Sequence, residues 1–166
     1  MQLNWYIIFI TALIPLIIGF VWYNPKVFGN AWMKSINVTV EDLKGSNMAL
    51  IFGLCYFFGL LLSVMLMPLV IHQMHMSSVF ADDITIKDPN SASSLYLKNF
   101  MDTYGTKFRT FKHGVFHGVL DTIFFALPIL GTVALFERRG FKYIAIHIGY
   151  WAVTIGLMGG IICQFV

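Results

Sequence analysis

Four long apolar blocks constrain this chain more than any other feature of its sequence. They run over about residues 3–22, 48–71, 114–136 and 143–163, and together they carry a single formal charge, Asp121. A hydrocarbon layer about 30 Å thick is crossed by about 20 apolar helical residues, so each block is long enough to span a bilayer. Lipid offers no partner to a free backbone N–H or C=O, which selects helices or closed barrels. A barrel needs alternating segments of about ten residues, and none is present. The sequence therefore predicts an all-α integral membrane four-helix bundle. It forms a single transmembrane domain over residues 1–166, with a long middle loop over about 72–113.

Composition agrees. The 166 residues are 58% hydrophobic and 11% charged, whereas a soluble domain carries about 25% charged residues to face water. The net charge of +3 is small and scattered, which excludes a nucleic-acid surface; the expected surroundings are the lipid bilayer. No Lys or Arg precedes the first block and no small-x-small cleavage site follows it, so it reads as a retained span rather than a signal peptide. Cys55 and Cys163 fall in apolar blocks near opposite ends of the expected bundle, which predicts small buried side chains and no disulfide between them.

The connections differ in kind. Residues 24–47 form a moderate loop with Lys26, Lys34 and Lys44, and residues 137–142 a tight hairpin with Arg138, Arg139 and Lys142. The middle segment passes Asp82, Asp83 and the breaker Asp88-Pro89. It then predicts a short helix from about Ser91 to Tyr104, with Tyr96, Phe100 and Tyr104 recurring every four residues, lying along the membrane surface or capping the bundle. Six basic residues mark the face of the first and third loops, against five on the face of the middle loop and both termini. Since short loops weigh most, the hairpin is expected in the cytoplasm and both termini outside. Pro15, Pro68 and Pro128 each lie inside a block and are candidate kinks.

At the end of the first block stands the string Gly19-Phe20-Val21-Trp22-Tyr23-Asn24-Pro25-Lys26-Val27-Phe28-Gly29-Asn30-Ala31-Trp32. Trp22 and Tyr23 suit the headgroup level, Pro25 ends the helix, and Phe28 and Trp32 can share one face of a returning helix. The group Trp22, Tyr23, Pro25, Phe28 and Trp32 reads as an anchored interfacial turn, or as a recognition surface for a lipid, small molecule or partner protein. This string resembles the signature of the DUF1761 family of bacterial membrane proteins of unknown function. Ala134-Leu135-Phe136-Glu137-Arg138-Arg139-Gly140-Phe141-Lys142, with Gly149-Tyr150 and Gly159 beyond, is similar to that family's C-terminal half. The resemblance implies a compact protein of the bacterial cytoplasmic membrane with about this number of spans, and no assigned activity.

Asp121 is the most informative single residue. A carboxylate at mid-bilayer costs about 2.5–3.5 kcal/mol on insertion scales, so it must face the bundle interior, a watery cavity or a partner. His113, His117 and Asp121 form an i, i+4, i+8 stripe, a candidate polar or ion site; the structural alternative is an interhelical hydrogen bond for Asp121 and interfacial histidines. His72, His75 and Met76 at the end of the second block offer imidazole and thioether, a donor set suited to soft copper. Antiparallel helices bring that cluster to the same membrane face as His113 and His117, which allows a composite metal site; otherwise no cofactor is expected. His147, alone in the fourth block, reads as a core histidine. Gly114-x-x-x-Gly118 and Gly156-x-x-x-Gly160 predict close helix contacts, within the chain or in a homo-oligomer.

No P-loop, GxSxG, zinc-protease or dinucleotide pattern occurs, and no paired carboxylates stand ready for acid–base work. The sequence assigns no catalytic residue and gives an enzyme little support. Three readings remain: a bundle that binds or moves a small solute or ion, a scaffold or accessory subunit of a larger complex, and a copper- or zinc-handling membrane protein.

Overall fold

The computed structural model describes residues 3–166. It is all-α, with no strand among the described residues. Four helical spans, Trp5–Trp22, Met48–Val70, Phe111–Phe136 and Phe141–Phe165, are long and apolar enough to cross a membrane. The third starts three residues ahead of its expected bound because Thr110 caps it, its hydroxyl accepting the His113 N–H at 3.3 Å. The second opens on Asn47, whose side chain accepts from the Leu50 N–H.

The prolines act unequally. The first span divides into Trp5–Thr11 and Ile14–Trp22, and the break falls just ahead of Pro15, where the pyrrolidine ring disfavours helix in the residues before it. Pro68 lies two residues from the end of an uninterrupted Met48–Val70. Pro128 follows a π-helical turn at Thr122–Ala126. Pro128 cannot bond the carbonyl four residues back, at Phe124, and the widened turn lies where that ladder is interrupted.

The fourth span is the axis of the bundle: 56% of its central stretch is buried, against 17–22% in the other three. The third span packs along it on small residues. A Cβ on Gly114 would lie 2.1 Å from the Gly159 carbonyl oxygen, one on Gly118 2.4 Å from that of Ile155, and one on Gly160 2.7 Å from the Phe111 ring. Both glycine pairs are thus consumed inside the chain. The first and second spans meet where Gly59 backs onto the Ala12 carbonyl and the Thr11 and Ser63 hydroxyls lie 3.1 Å apart. Leu66, Val70, Ile71, Met158 and Ile162 fill the core between. Outward, Phe20, Phe124 and Phe136 are 70–88% exposed, an arrangement that suits hydrocarbon and not water.

The aromatic string folds back on the bundle. Asn24 caps a π-helical turn at Pro25–Gly29, which runs into the helix Asn30–Ile36. Trp22 packs on Phe28 with ring centroids 4.5 Å apart, and Tyr23 on Trp32 at 5.5 Å. The Trp22 indole N–H donates to the Ile146 carbonyl of the fourth span. A Cβ on Gly29 would sit 2.2 Å from the Tyr23 carbonyl oxygen, so only glycine fits there. At the other end, the Asn4 side chain donates to the Phe165 carbonyl at 2.8 Å, which ties the two ends of the chain to one side. The middle segment holds the short helices Gln73–Val79 and Ile84–Lys87 and the surface helix Ala92–Tyr104. That last helix is capped by Ser91 and has no buried residue.

Candidate metal centre

The second span ends at Val70, and Ile71 leaves helical geometry before the chain resumes as Gln73–Val79. His72 stands in this break and turns towards the third span. Its Nε2 lies 2.9 Å from Nε2 of His113. The imidazoles of His72, His113 and His117 form a closed triangle, with ring centroids 5.0, 4.8 and 4.5 Å apart. One nitrogen from each can be chosen so that all three lie within 4.8 Å of one another. A zinc ion with Zn–N bonds of ~2.0–2.1 Å holds its tetrahedral nitrogens about 3.3 Å apart, a spacing between the 2.9 Å of the His72–His113 pair and the 4.8 Å outer limit of the three.

The surroundings pin this triangle on two sides. Phe108, in the left-handed region at φ 63°, stacks its ring on His113 at 5.1 Å with planes 19° apart, and Phe116 meets His117 edge-on at 5.6 Å. Gln73, buried beside His72, donates through its amide to the Tyr104 and Lys107 carbonyls at 2.8 and 2.7 Å. The Arg109 Nε donates to the Cys163 carbonyl at 2.6 Å, and burial lowers the pKa of that guanidinium. The Cys163 thiol reaches the Phe108 carbonyl at 3.4 Å. Residues 104–110 are thereby strapped across the mouth of the triangle.

Of the residues expected to carry chemistry, His72, His113 and His117 come together. His75 and Met76 lie on the short helix Gln73–Val79, and neither His75 nor Asp121 belongs to the cluster. Asp121 lies two turns deeper than His113, immediately before the π-helical turn, and one of its carboxyl oxygens is buried with no hydrogen-bond partner among the described residues. His147, at the opposite end, shares a hydrogen bond with the Tyr23 hydroxyl, 2.9 Å from Nδ1, while its Nε2 is buried with no partner among the described residues. Burial, then the neighbouring Tyr150 and Tyr143, push the Tyr23 pKa well above its ordinary value. Gln73, Phe108 and Arg109 carried no sequence signal of their own.

Residues 6–163, nearly the whole chain, match the family described as "Protein of unknown function (DUF1761)". The chain belongs to the DUF1761 family. No curated protein and no solved structure matches it. The match spans the Trp22–Trp32 turn, the 134–142 hairpin and the histidine triangle, and it assigns no chemistry to any of them.

Proposed function

We propose that this DUF1761 protein is a membrane bundle that binds a divalent transition-metal ion through His72, His113 and His117 at one membrane face. The observation that carries this reading is the convergence of three imidazoles, from the end of one span and the first turns of another, on a space small enough for one ion. Neutral imidazole suits zinc, copper and nickel, whereas calcium and magnesium need oxygen ligands. Three protein ligands leave a coordination position open, as in sites that exchange a ligand or pass an ion on. In the test, purified protein is stripped with chelator and titrated with Co(II), Zn(II) and Cu(II), following the cobalt absorption bands and bound metal by elemental analysis. One saturable ion per chain, lost in His72→Ala and His117→Ala and kept in His75→Ala, is the expected result. Wild-type protein that binds none of the three saturably overturns the reading.

The unpartnered Asp121 oxygen favours a second reading, in which the bundle moves an ion or solute rather than only holding it. Asp121 continues the histidine stripe into the bilayer, where a carboxyl without a partner is costly and is retained for function. Flux in proteoliposomes that is unchanged by Asp121→Asn at every pH tested would rule this out.

A further inference from the structure

The face opposite the histidines carries a second feature. A cavity of about 230 Å³ lies between the helix Asn30–Ile36 and the start of the fourth span, lined by Ala31, Lys34, Ser35, Gly140, Lys142 and Tyr143. Two lysines thus reach one small cavity from different elements. The acids of this face are engaged elsewhere: Glu41 pairs with Lys44, Glu137 with Arg139, and Asp42 accepts from Thr39. Lys34 and Lys142 have no acidic partner among the described residues. The cavity also adjoins the N-terminus of the 25-residue helix Phe141–Phe165, whose cap residue, Gly140, supplies no side-chain hydrogen bond. The Tyr143 N–H donates to the Gly140 carbonyl at 3.0 Å, so the Phe141 and Lys142 N–H groups, with the positive end of the helix dipole, are what that end offers an anion.

We infer that this cavity binds the phosphate group of an anionic phospholipid headgroup. Its depth selects the ligand. The Trp22–Phe28 and Tyr23–Trp32 pairs that frame the helix Asn30–Ile36 mark the headgroup level, so the phosphates of the leaflet lie beside it. Two unpaired ammonium groups and an uncapped helix end together match a phosphate oxyanion. The face as a whole bears six basic residues against three acidic ones, but only Lys34 and Lys142 line the cavity, so the site is distinct from diffuse surface attraction.

Detergent-purified full-length protein is titrated with dihexanoyl phosphatidylglycerol, dihexanoyl phosphatidylcholine and inorganic phosphate, reading bound lipid by native mass spectrometry and tryptophan emission. Saturable binding of the phosphatidylglycerol is expected, with the zwitterionic lipid much weaker and inorganic phosphate competing. Removing both cavity charges in a Lys34→Gln, Lys142→Gln variant is expected to weaken binding about fivefold per lysine. A Lys26→Gln, Lys44→Gln variant, with the same loss of net charge outside the cavity, is expected to bind within twofold of wild type. Equal losses in the two double variants would reduce the effect to bulk attraction and overturn the proposal. So would inorganic phosphate that saturates the site without displacement by phosphatidylglycerol, since the occupant would then be a free anion.

Discussion

Gly114→Ala tests packing and site together. The added Cβ would lie 2.1 Å from the Gly159 carbonyl oxygen and 2.6 Å from the Cys163 Cβ, where a real Cβ keeps at least 3.0 Å. Neither neighbour is the free end of a flexible chain, so the third span must retreat from the fourth by about 1 Å, and overpacking of this kind costs about 1–3 kcal/mol. The third span also carries His113 and His117, whereas His72 follows the end of the second; a retreat of about 1 Å is several times the ~0.2 Å tolerance of a metal–nitrogen bond set. Gly114→Ala should therefore lower the thermal midpoint in detergent by about 2–12 °C and weaken Co(II) binding at least tenfold. Gly53→Ala is the control: a Cβ there meets nothing within 4 Å, and relief of the glycine penalty in a helix makes it neutral to slightly stabilising. The measurements are the monodisperse fraction after heating and the cobalt titration. A Gly114→Ala protein as stable as Gly53→Ala, with undiminished metal binding, would refute both the close approach and its link to the site.

Other consequences follow from the same contacts. Tyr23→Phe removes the hydroxyl bonded to His147 Nδ1 and leaves that ring nitrogen without this bond, so a loss of about 1–3 kcal/mol should appear in detergent melts. The raised Tyr23 pKa sets the sign of a pH effect: its stabilisation is whole below the ordinary tyrosine value near 10 and declines as pH rises above it. Spectrophotometric titration should then find one fewer late-ionising tyrosine in Tyr23→Phe than in wild type. Gln73→Leu removes both bonds to the strap at residues 104–107, so amide exchange over residues 104–110 should quicken while the spans keep their protection. Gly29→Ala meets the Tyr23 carbonyl at 2.2 Å and should disrupt the aromatic turn, read as a shift in tryptophan emission.

Much of the architecture was legible because lipid permits so few solutions. Uninterrupted apolar length fixed the four spans, and local chemistry fixed several ends: Asn47 and Ser91 cap helices where short polar side chains precede regular runs. The composite histidine site was legible only as a possibility of antiparallel topology, since spacing alone could not say which imidazoles converge. Helical periodicity grouped His72 with His75 and Met76; the chain breaks at Ile71, ahead of all three, and of that group only His72 meets His113 and His117. The strap was not legible at all. Gln73 and Arg109 act through backbone carbonyls, and a carbonyl exists at every position, so no residue pattern announces such a bond. The glycine motifs gave the contact but left its partner open, and it is the close approach of Gly114 to Gly159 that assigns them to one chain.

The placement of the histidines follows from those glycines. Gly114, Gly118 and Thr122 recur every four residues and are all buried. The first two admit the backbone of the fourth span, and the Thr122 hydroxyl donates to the Gly118 carbonyl and reaches that of Trp151. This ridge fixes the rotation of the third span about its own axis. Each member is preceded by a polar residue, His113, His117 and Asp121, and neighbouring positions on a helix lie about 100° apart. The polar stripe is therefore carried round from the fourth span to the flank where His72 enters, and Asp121 stands to Thr122 as His117 stands to Gly118. In a regular helix Phe125 would come next in line. The π-helical turn at Thr122–Ala126 inserts an extra residue into the repeat and rotates Phe125 out of it. The stripe thus begins at a triad in which only His72 is exposed and ends at a carboxyl with one oxygen unpartnered among the described residues, one turn beyond His117; on the proposed ion-binding reading, Asp121 is the next polar group along this helix.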